Sequence, residues 1–468
     1  MNANLLLAYY GDDFTGSTDV MEALSRAGLR TVLFLQPPTP TQLAEFPGLR
    51  AFGLAGGSRM LSPEEMEREL PLPFEALKAS GAPIIHYKMC STFDSSPRIG
   101  SIGRAIEIGR RVFGERPTSL MVGAPVLGRY VVFGNLFARS GLDTDPFRLD
   151  RHPTMSAHPV TPMSEADLRL ILAEQTHLPV ELVDVLKLDD PCGRKSEAQG
   201  VSAPIVLFDT LRDAHLPVIG REIARLAEQG PLFVVGSSGI EYALVAHWRE
   251  VSSPEMGKAQ RDVTHPPSVS SQASRSNETR PSPAKPVDRI ISISGSCSPV
   301  TDRQIARAAA HGFREIPVPA KQLIQDGSAD AVRAALLLEV ERALPGSNGV
   351  ILHTSRGPED SRIMRDKKTL AAVSARLGPA MAAVLEDILG AMHACRAVVC
   401  GGDTSMQVAR ALGIVALEYL CPIAPGCPLC RVHAPGRVAH GREIAFKGGQ
   451  VGRDSFFLDA LNAGLGKP

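Results

Sequence analysis

Residues 9–19 read YYGDDFTGSTD, with Asp12 and Asp13 placed where an apolar run ends and a string of small residues begins. Paired carboxylates at a strand end are costly unless used. One can cap the following helix by accepting from its free amides, a reading that suits one of the two but not both. Three further loops carry complementary groups: GGSR at 56–59, YKMCSTFDSSP at 87–97 and GAPVLGRYVVFGN at 123–135. The cations Arg59, Lys88 and Arg129 suit a small anion, and carboxylates with the hydroxyls of Ser91 and Thr92 suit alcohols, so the chemistry indicated is the handling of a polyhydroxy acid. Cys90 and Asp94 lie in the same loop as Lys88.

A second set of loops is richer in glycine: SGSCSPVTD at 294–302, CGGDTS at 400–405 and KGGQVG at 447–452. Each follows a strand-like run, and the first two open helices, with Ser298 a good N-cap and Pro299 suited to the first turn. Backbone amides at such turns cradle phosphates because glycine admits close approach. The residues concerned are Ser294, Gly295, Ser296 and Ser298, then Gly401, Gly402, Asp403 and Thr404, then Lys447 and Gly449. Neither G-x-x-x-x-G-K-[ST] nor G-x-G-x-x-G occurs, and a single loop of this kind is more often an ordinary turn. Three in one stretch point to a nucleotide.

The elements that must position these loops follow from periodicity. Short apolar runs at 5–9, 31–35, 51–54, 84–88, 119–123, 205–209 and 232–235, then at 290–294, 313–316, 350–354, 397–400, 414–417 and 443–446, alternate with helical patterns, notably 19–27, 301–310, 329–344 and 371–393. That alternation predicts α/β sheets with parallel strands, whose ligands sit beyond the carboxyl ends of the strands. A chain of 468 residues exceeds the size of a single core. Two α/β domains are expected, 1–250 for a sugar acid and 287–468 for a nucleotide, each on a mostly parallel sheet, with the active site in the cleft between them. The Ser/Pro-rich stretch 251–286 reads as a flexible linker.

The 50 basic residues balance the 50 acidic ones, which removes any electrostatic case for nucleic acid or an anionic membrane. No apolar run is long enough to span a bilayer and the start lacks a basic-then-apolar signal pattern, so a cytoplasmic location is expected. Five of the eight cysteines fall within 395–430, including Cys427-Pro-Leu-Cys430. Their spacing does not match paired zinc ligands, and buried thiols are expected.

DDFTG, YKMCSTFDSS, HPVTPM at 158–163, SGSCS, GGDTS, APGCPLCR at 424–431 and FKGGQVG stand in the order found in the four-carbon acid sugar kinases, and the chain resembles that family over nearly its whole length. The resemblance implies an N-terminal sugar-acid domain, a C-terminal ATP domain, Mg²⁺, and phosphorylation of the terminal hydroxyl of threonate, erythronate or 3-oxo-tetronate. The family's 3-oxo-tetronate branch tends to carry Glu at the position of Asp403, which leans this chain toward threonate or erythronate. KGGQVG stands where the family more often has Lys-x-Gly-x-Phe-Gly, which keeps Lys447, Gly449 and Gly452 but removes the local aromatic. Phosphoryl transfer needs an aligned alcohol and a neutralised triphosphate. Of the paired acids Asp13 is the preferred base and Asp12 the alternative, with Asp94 next in line. A non-catalytic sensor does not require paired acids, and a dehydrogenase lacks its dinucleotide fingerprint. A homodimer is one admissible assembly.

Overall fold

The computed structural model describes residues 5–141, 144–158, 160–190, 203–252, 284–363, 367–392 and 396–465. They divide into two compact units, one of residues 1–31 and 37–280, the other of 32–36 and 281–468. The expected linker at 251–286 falls almost entirely outside the described residues.

The sheet of the first unit runs, in spatial order, Ala51–Ala55, Leu7–Gly11, Ile84–Lys88, Leu232–Gly236, Thr118–Met121, Ile205–Phe208 and Val180–Val183. Every neighbouring pair is parallel. Most of these strands are buried along their whole length, as continuous apolar runs must be when helices cover a parallel sheet. All carboxyl ends share one edge, which collects the loops after Gly11, Ala55, Lys88, Met121 and Gly236. Sequence periodicity missed Val180–Val183 and a small antiparallel sheet of Arg129–Val132, Asn135–Arg139 and Pro146–Arg148. These strands are short and half-buried, so they carry little apolar signal.

A fully buried pair braces the middle of this sheet. His86 Nε2 donates to the Gly236 carbonyl at 3.1 Å, and Nδ1 lies 2.6 Å from Glu241 Oε1 at the start of helix Gly239–Ser252. Both side chains are completely buried. Met89 N donates to the same Gly236 carbonyl at 2.8 Å, so the ends of two adjacent strands are locked together just where Lys88 emerges. Removing one partner leaves the other buried without its proton-sharing neighbour. Glu241→Ala should therefore destabilise the protein by about 3 kcal/mol or more, read as a shift in the urea midpoint; an unchanged midpoint would show that the pair braces nothing.

The second unit's sheet runs Phe313–Pro317, Gly349–His353, Ile290–Ser294, Arg396–Cys400, Glu443–Lys447, Cys427–His433, Ala416–Ala424 and Thr31–Phe34. The first five strands are parallel and the remaining pairings antiparallel. Val32, Leu33 and Phe34 pair with Glu418, Leu417 and Ala416, so a strand from the N-terminal part of the chain completes the second unit's sheet. That departs from a boundary at residue 250. The Cys427-Pro-Leu-Cys430 segment is the start of a strand, and Cys400, Cys427 and Cys430 are buried in or beside this sheet. Arg396, itself fully buried, pairs with Glu443 at 2.7 Å and donates to the carbonyls of Lys285, Ala460 and Leu461, tying the end of the chain to the strand that precedes CGGDTS.

Candidate active site

At the strand edge of the first unit, backbone hydrogen bonds knit the loops before any side chain acts. Asp12 N donates to Lys88 O at 2.8 Å, and Arg59 N donates to Asp12 O at 3.1 Å. Helix Phe14–Arg26 starts at Asp13, which accepts from Gly16 N at 3.0 Å and from the Thr15 hydroxyl at 2.9 Å. The capping role open to either acid thus falls on Asp13. Arg59 then closes on both carboxylates: Nε and Nη2 engage Asp12 Oδ2 and Oδ1 at 3.1 and 2.7 Å, and Nη2 also reaches Asp13 Oδ1 at 2.7 Å.

The two acids differ electrostatically although they are adjacent. Burial pushes the Asp12 carboxyl above its ordinary range against the pull of Arg59, and the charge on Asp13 adds to the rise. Burial acts the same way on Asp13 but is outweighed by Arg59, Lys88, the Thr15 hydroxyl and the Gly16 amide, so its carboxyl lies below the ordinary range. Lys88, buried at its strand end, has Asp19 3.7 Å away. Asp19 had no special place in the sequence; it stands two turns from Asp12 on an amphipathic helix, with nothing to distinguish it from a solvated acid.

The loop after Lys88 brings Cys90 Sγ to 3.0 Å from Thr92 Oγ1, with Ser91 half-buried beside them. Phe93, buried in this loop, has φ +56°, and Phe133 in the hairpin turn of the neighbouring loop has φ +50°. Such values strain a non-glycine residue and cluster at functional sites. Asp94 is taken up by the Thr161 hydroxyl and lies 3.8 Å from His158 Nδ1, so His158 and Thr161 of HPVTPM pack on this loop and Asp94 is engaged within the protein; Pro159 lies outside the described residues. Arg129 rises from the loop after Thr118–Met121, and the Cys90 thiol bears on the charge of both Arg129 and Arg59. The sequence reading also missed Ser237 and Ser238, both fully buried, in the loop after Leu232–Gly236. The signal available was a Gly-Ser-Ser-Gly run at a strand end.

In the second unit the three glycine-containing loops follow adjacent parallel strands and converge. The Lys447 ammonium, fully buried, donates to Thr301 Oγ1 at 3.0 Å and to the carbonyls of Gly448 and Gly449 at 3.0 and 3.3 Å. Thr301 Oγ1 donates to the Gly449 carbonyl at 2.9 Å and receives the Ser296 hydroxyl at 3.0 Å. Ser298 caps helix Pro299–Ala309 through Val300 N at 3.1 Å. Gly401 has φ +111°, which only glycine adopts readily, and a Cβ there would stand 3.0 Å from Thr404 Oγ1 and 3.4 Å from Ser296 N. Helix Gly402–Ala411 starts without a side-chain cap, leaving its first amides free, with Asp403 exposed in its first turn. Ser294 is buried at the end of its strand, and Gly295 N donates to Cys400 O at 3.0 Å.

A fourth loop joins them: Thr354 N donates to Ser294 O at 3.0 Å and the Ser355 hydroxyl to Ser296 O at 3.1 Å. The missing aromatic of KGGQVG is supplied from elsewhere. Phe456, from the helix that follows, places its ring 5.6 Å from Lys447 Nζ and against Gly452. Burial pulls the Lys447 amine below its ordinary value and raises the neighbouring Cys400 thiol to about 11. No carboxylate pairs with Lys447 among the described residues, so its charge awaits an anion.

An acid-and-cation cluster stands at the carboxyl edge of one parallel sheet and an amide-rich cradle around a buried lysine at that of the other. Comparisons with known proteins bear on both units. The sugar-binding N-terminal domain model matches residues 7–244 and the nucleotide-binding C-terminal domain model matches 291–457. The chain is 45% identical to a 3-oxo-isoapionate kinase of Paraburkholderia graminis over 97% of this chain and 94% of that one. It is 30% identical to a 3-oxo-tetronate kinase of Methylobacterium radiotolerans over 98% and 99%. A solved structure of a putative tRNA synthase from Salmonella typhimurium has the same fold, with TM-score 0.76 and 23% identity over 97% of this chain and 98% of that one. The chain belongs to the four-carbon acid sugar kinase family, and it is a kinase. Among the described residues no helix is long and apolar enough to cross a membrane.

Proposed function

We propose that this kinase transfers the γ-phosphoryl group of ATP to the terminal hydroxyl of a 3-oxo sugar acid, the acceptor being held in the first unit and the nucleotide in the second. The substrate reading is supported by the relatives, several of which act on 3-oxo acids, and it moves the lean from threonate or erythronate to the 3-oxo acids. The observation that carries the mechanism is the unequal pair of acids. Asp12, whose carboxyl is raised and which has no capping duty, takes the proton of the attacking hydroxyl; a base with a higher pKa accepts it more readily. Asp13 holds the helix start and keeps Arg59 in place, the reverse of the preference drawn from the sequence. Lys447 shapes the phosphate loop rather than reaching out of it, because its three donors are already spent on Thr301, Gly448 and Gly449. The free amides at Gly402 and Thr404 and the loop from Ser294 to Ser298 face the phosphates.

Mg²⁺, when bound with the nucleotide, neutralises the phosphate oxygens. Among the described residues no three His, Cys, Asp or Glu side chains stand together as a cage, which fits an ion that arrives on the triphosphate and takes one or two carboxylates, with exposed Asp403 nearest the cradle's helix start. A coupled ATP assay against 3-oxo-tetronates, 3-oxo-isoapionate and the threonate and erythronate stereoisomers tests the reading. Turnover of a 3-oxo acid at least about 100-fold above the reduced acids in kcat/KM is expected, since a site built for one polar group rejects its analogue strongly. Preference for threonate or erythronate would overturn the substrate, and absence of ATP consumption with every acid would overturn the activity.

A further inference from the structure

Arg59 and Arg129 both belong to the acceptor site, yet their side-on edges differ. In Arg59 the Nε and Nη2 edge is already filled by Asp12, and Asp13 takes Nη2 as well. A second carboxylate could displace these bonds only by stranding Asp12 in its buried position, which is strongly unfavourable. Lys88 is likewise shared among Asp12, Asp13 and Asp19.

Arg129 is arranged otherwise. Its Nη1 donates to two neutral acceptors, the carbonyls of Leu127 at 2.8 Å and Arg139 at 3.1 Å, which fix the plane of the guanidinium. Its Nε is buried with no hydrogen-bond partner, and Nη2 makes no hydrogen bond among the described residues. No carboxylate of the described residues lies in ion-pair range of it. A half-buried cation whose Nε is shut off from water without a partner, and whose Nη1 is anchored on carbonyls, presents the Nε and Nη2 edge that matches an anion with two oxygens.

We infer that Arg129, rather than Arg59, holds the carboxylate of the acceptor acid, side-on through Nε and Nη2. Asp12 follows strand Leu7–Gly11, Cys90 follows the adjacent Ile84–Lys88, and Arg129 follows Thr118–Met121 two places further along the same carboxyl edge, so the acid is gripped at its carboxylate by Arg129 while its hydroxyl end is left for Asp12. This rests on the kinase reading above.

The test compares the preferred acid with its neutral amide in wild type, Arg129→Ala, Arg129→Gln and Arg129→Lys, by kcat/KM and by calorimetric binding of each compound. Wild type should favour the acid by about 100-fold or more. Arg129→Ala and Arg129→Gln should bring that ratio to within about threefold, chiefly through KM for the acid, with KM for ATP unchanged. Arg129→Lys should fall between, having charge without the fork. A merely structural arginine would lower turnover of acid and amide alike and leave the ratio intact. Retention of the acid preference in a folded variant overturns the assignment of Arg129 while leaving the kinase reading standing. A wild-type protein that phosphorylates no acid overturns both.

Discussion

Replacing Asp12 with Asn should lower kcat by roughly 10²-fold or more, with a smaller change in affinity for the acid, because the side chain keeps its size and one acceptor for Arg59 but can no longer accept a proton. The wild-type pH profile should carry the matching signature. A base works only when deprotonated, so kcat is full above the Asp12 pKa and falls as pH drops through it. Since burial raises that pKa above the ordinary carboxylate value, the acidic limb should lie higher than a solvent-exposed Asp would place it. The limb should vanish in Asp12→Asn. Asp13→Asn is the control. Asn caps nearly as well as Asp, so the helix at Phe14 should persist and the loss should be smaller, coming from a weaker hold on Arg59. A larger fall in kcat for Asp13→Asn than for Asp12→Asn, with the acidic limb lost there, would make Asp13 the base after all.

Lys447→Met should be the most damaging change in the second unit. Methionine fills the volume but supplies no donors, leaving the Gly448 and Gly449 carbonyls without their ammonium partner and removing the one buried positive charge beneath the loops. Nucleotide affinity should fall about 30-fold or more, and kcat/KM for ATP by roughly 10²-fold or more, as expected when a preorganised electrostatic element is lost from a phosphoryl-transfer site. If the sugar acid is held by residues of the other unit, as proposed, calorimetry should show its binding unchanged. Nucleotide affinity equal to wild type would mean that the three loops are ordinary turns around a structural lysine.

Lys447, which is buried, and Arg129, half-buried with a buried Nε, show the same physical device: among the described residues the hydrogen-bond partners of each are neutral oxygens, which fits a ligand that brings the compensating charge. Arg59 and Arg396 show the contrast. Arg59 is satisfied by Asp12 and Asp13, and Arg396 by Glu443 together with backbone carbonyls. All four are basic residues in or beside strand-end motifs, and nothing in their sequence surroundings separates the pair that await a ligand from the pair that do not.

Local pattern along the chain carries most of the strong strands and the loops between them. The alternation of short apolar runs with helical periods set out both α/β units, and the polar residues that interrupt it at strand ends were those that collect at the two candidate sites, since a parallel sheet brings all its carboxyl ends to one edge. Ser298, with proline after it, could be read as a cap because capping is a matter of three or four consecutive residues, whereas which of Asp12 and Asp13 caps the first helix could not. Tertiary structure alone decided the rest, because it depends on neighbours distant in the chain. Val32–Gln36 joins the second unit because its hydrogen-bonding partner is Ala416–Ala424. Phe456 replaces the aromatic absent from KGGQVG because a later helix folds back over Lys447. The Asp12 and Asp13 carboxyls shift in opposite directions, although their chemistry is the same, because the depth of burial and the placing of Arg59, Lys88 and the Gly16 amide around each set proton affinity, and these are properties of a packed environment rather than of residue order.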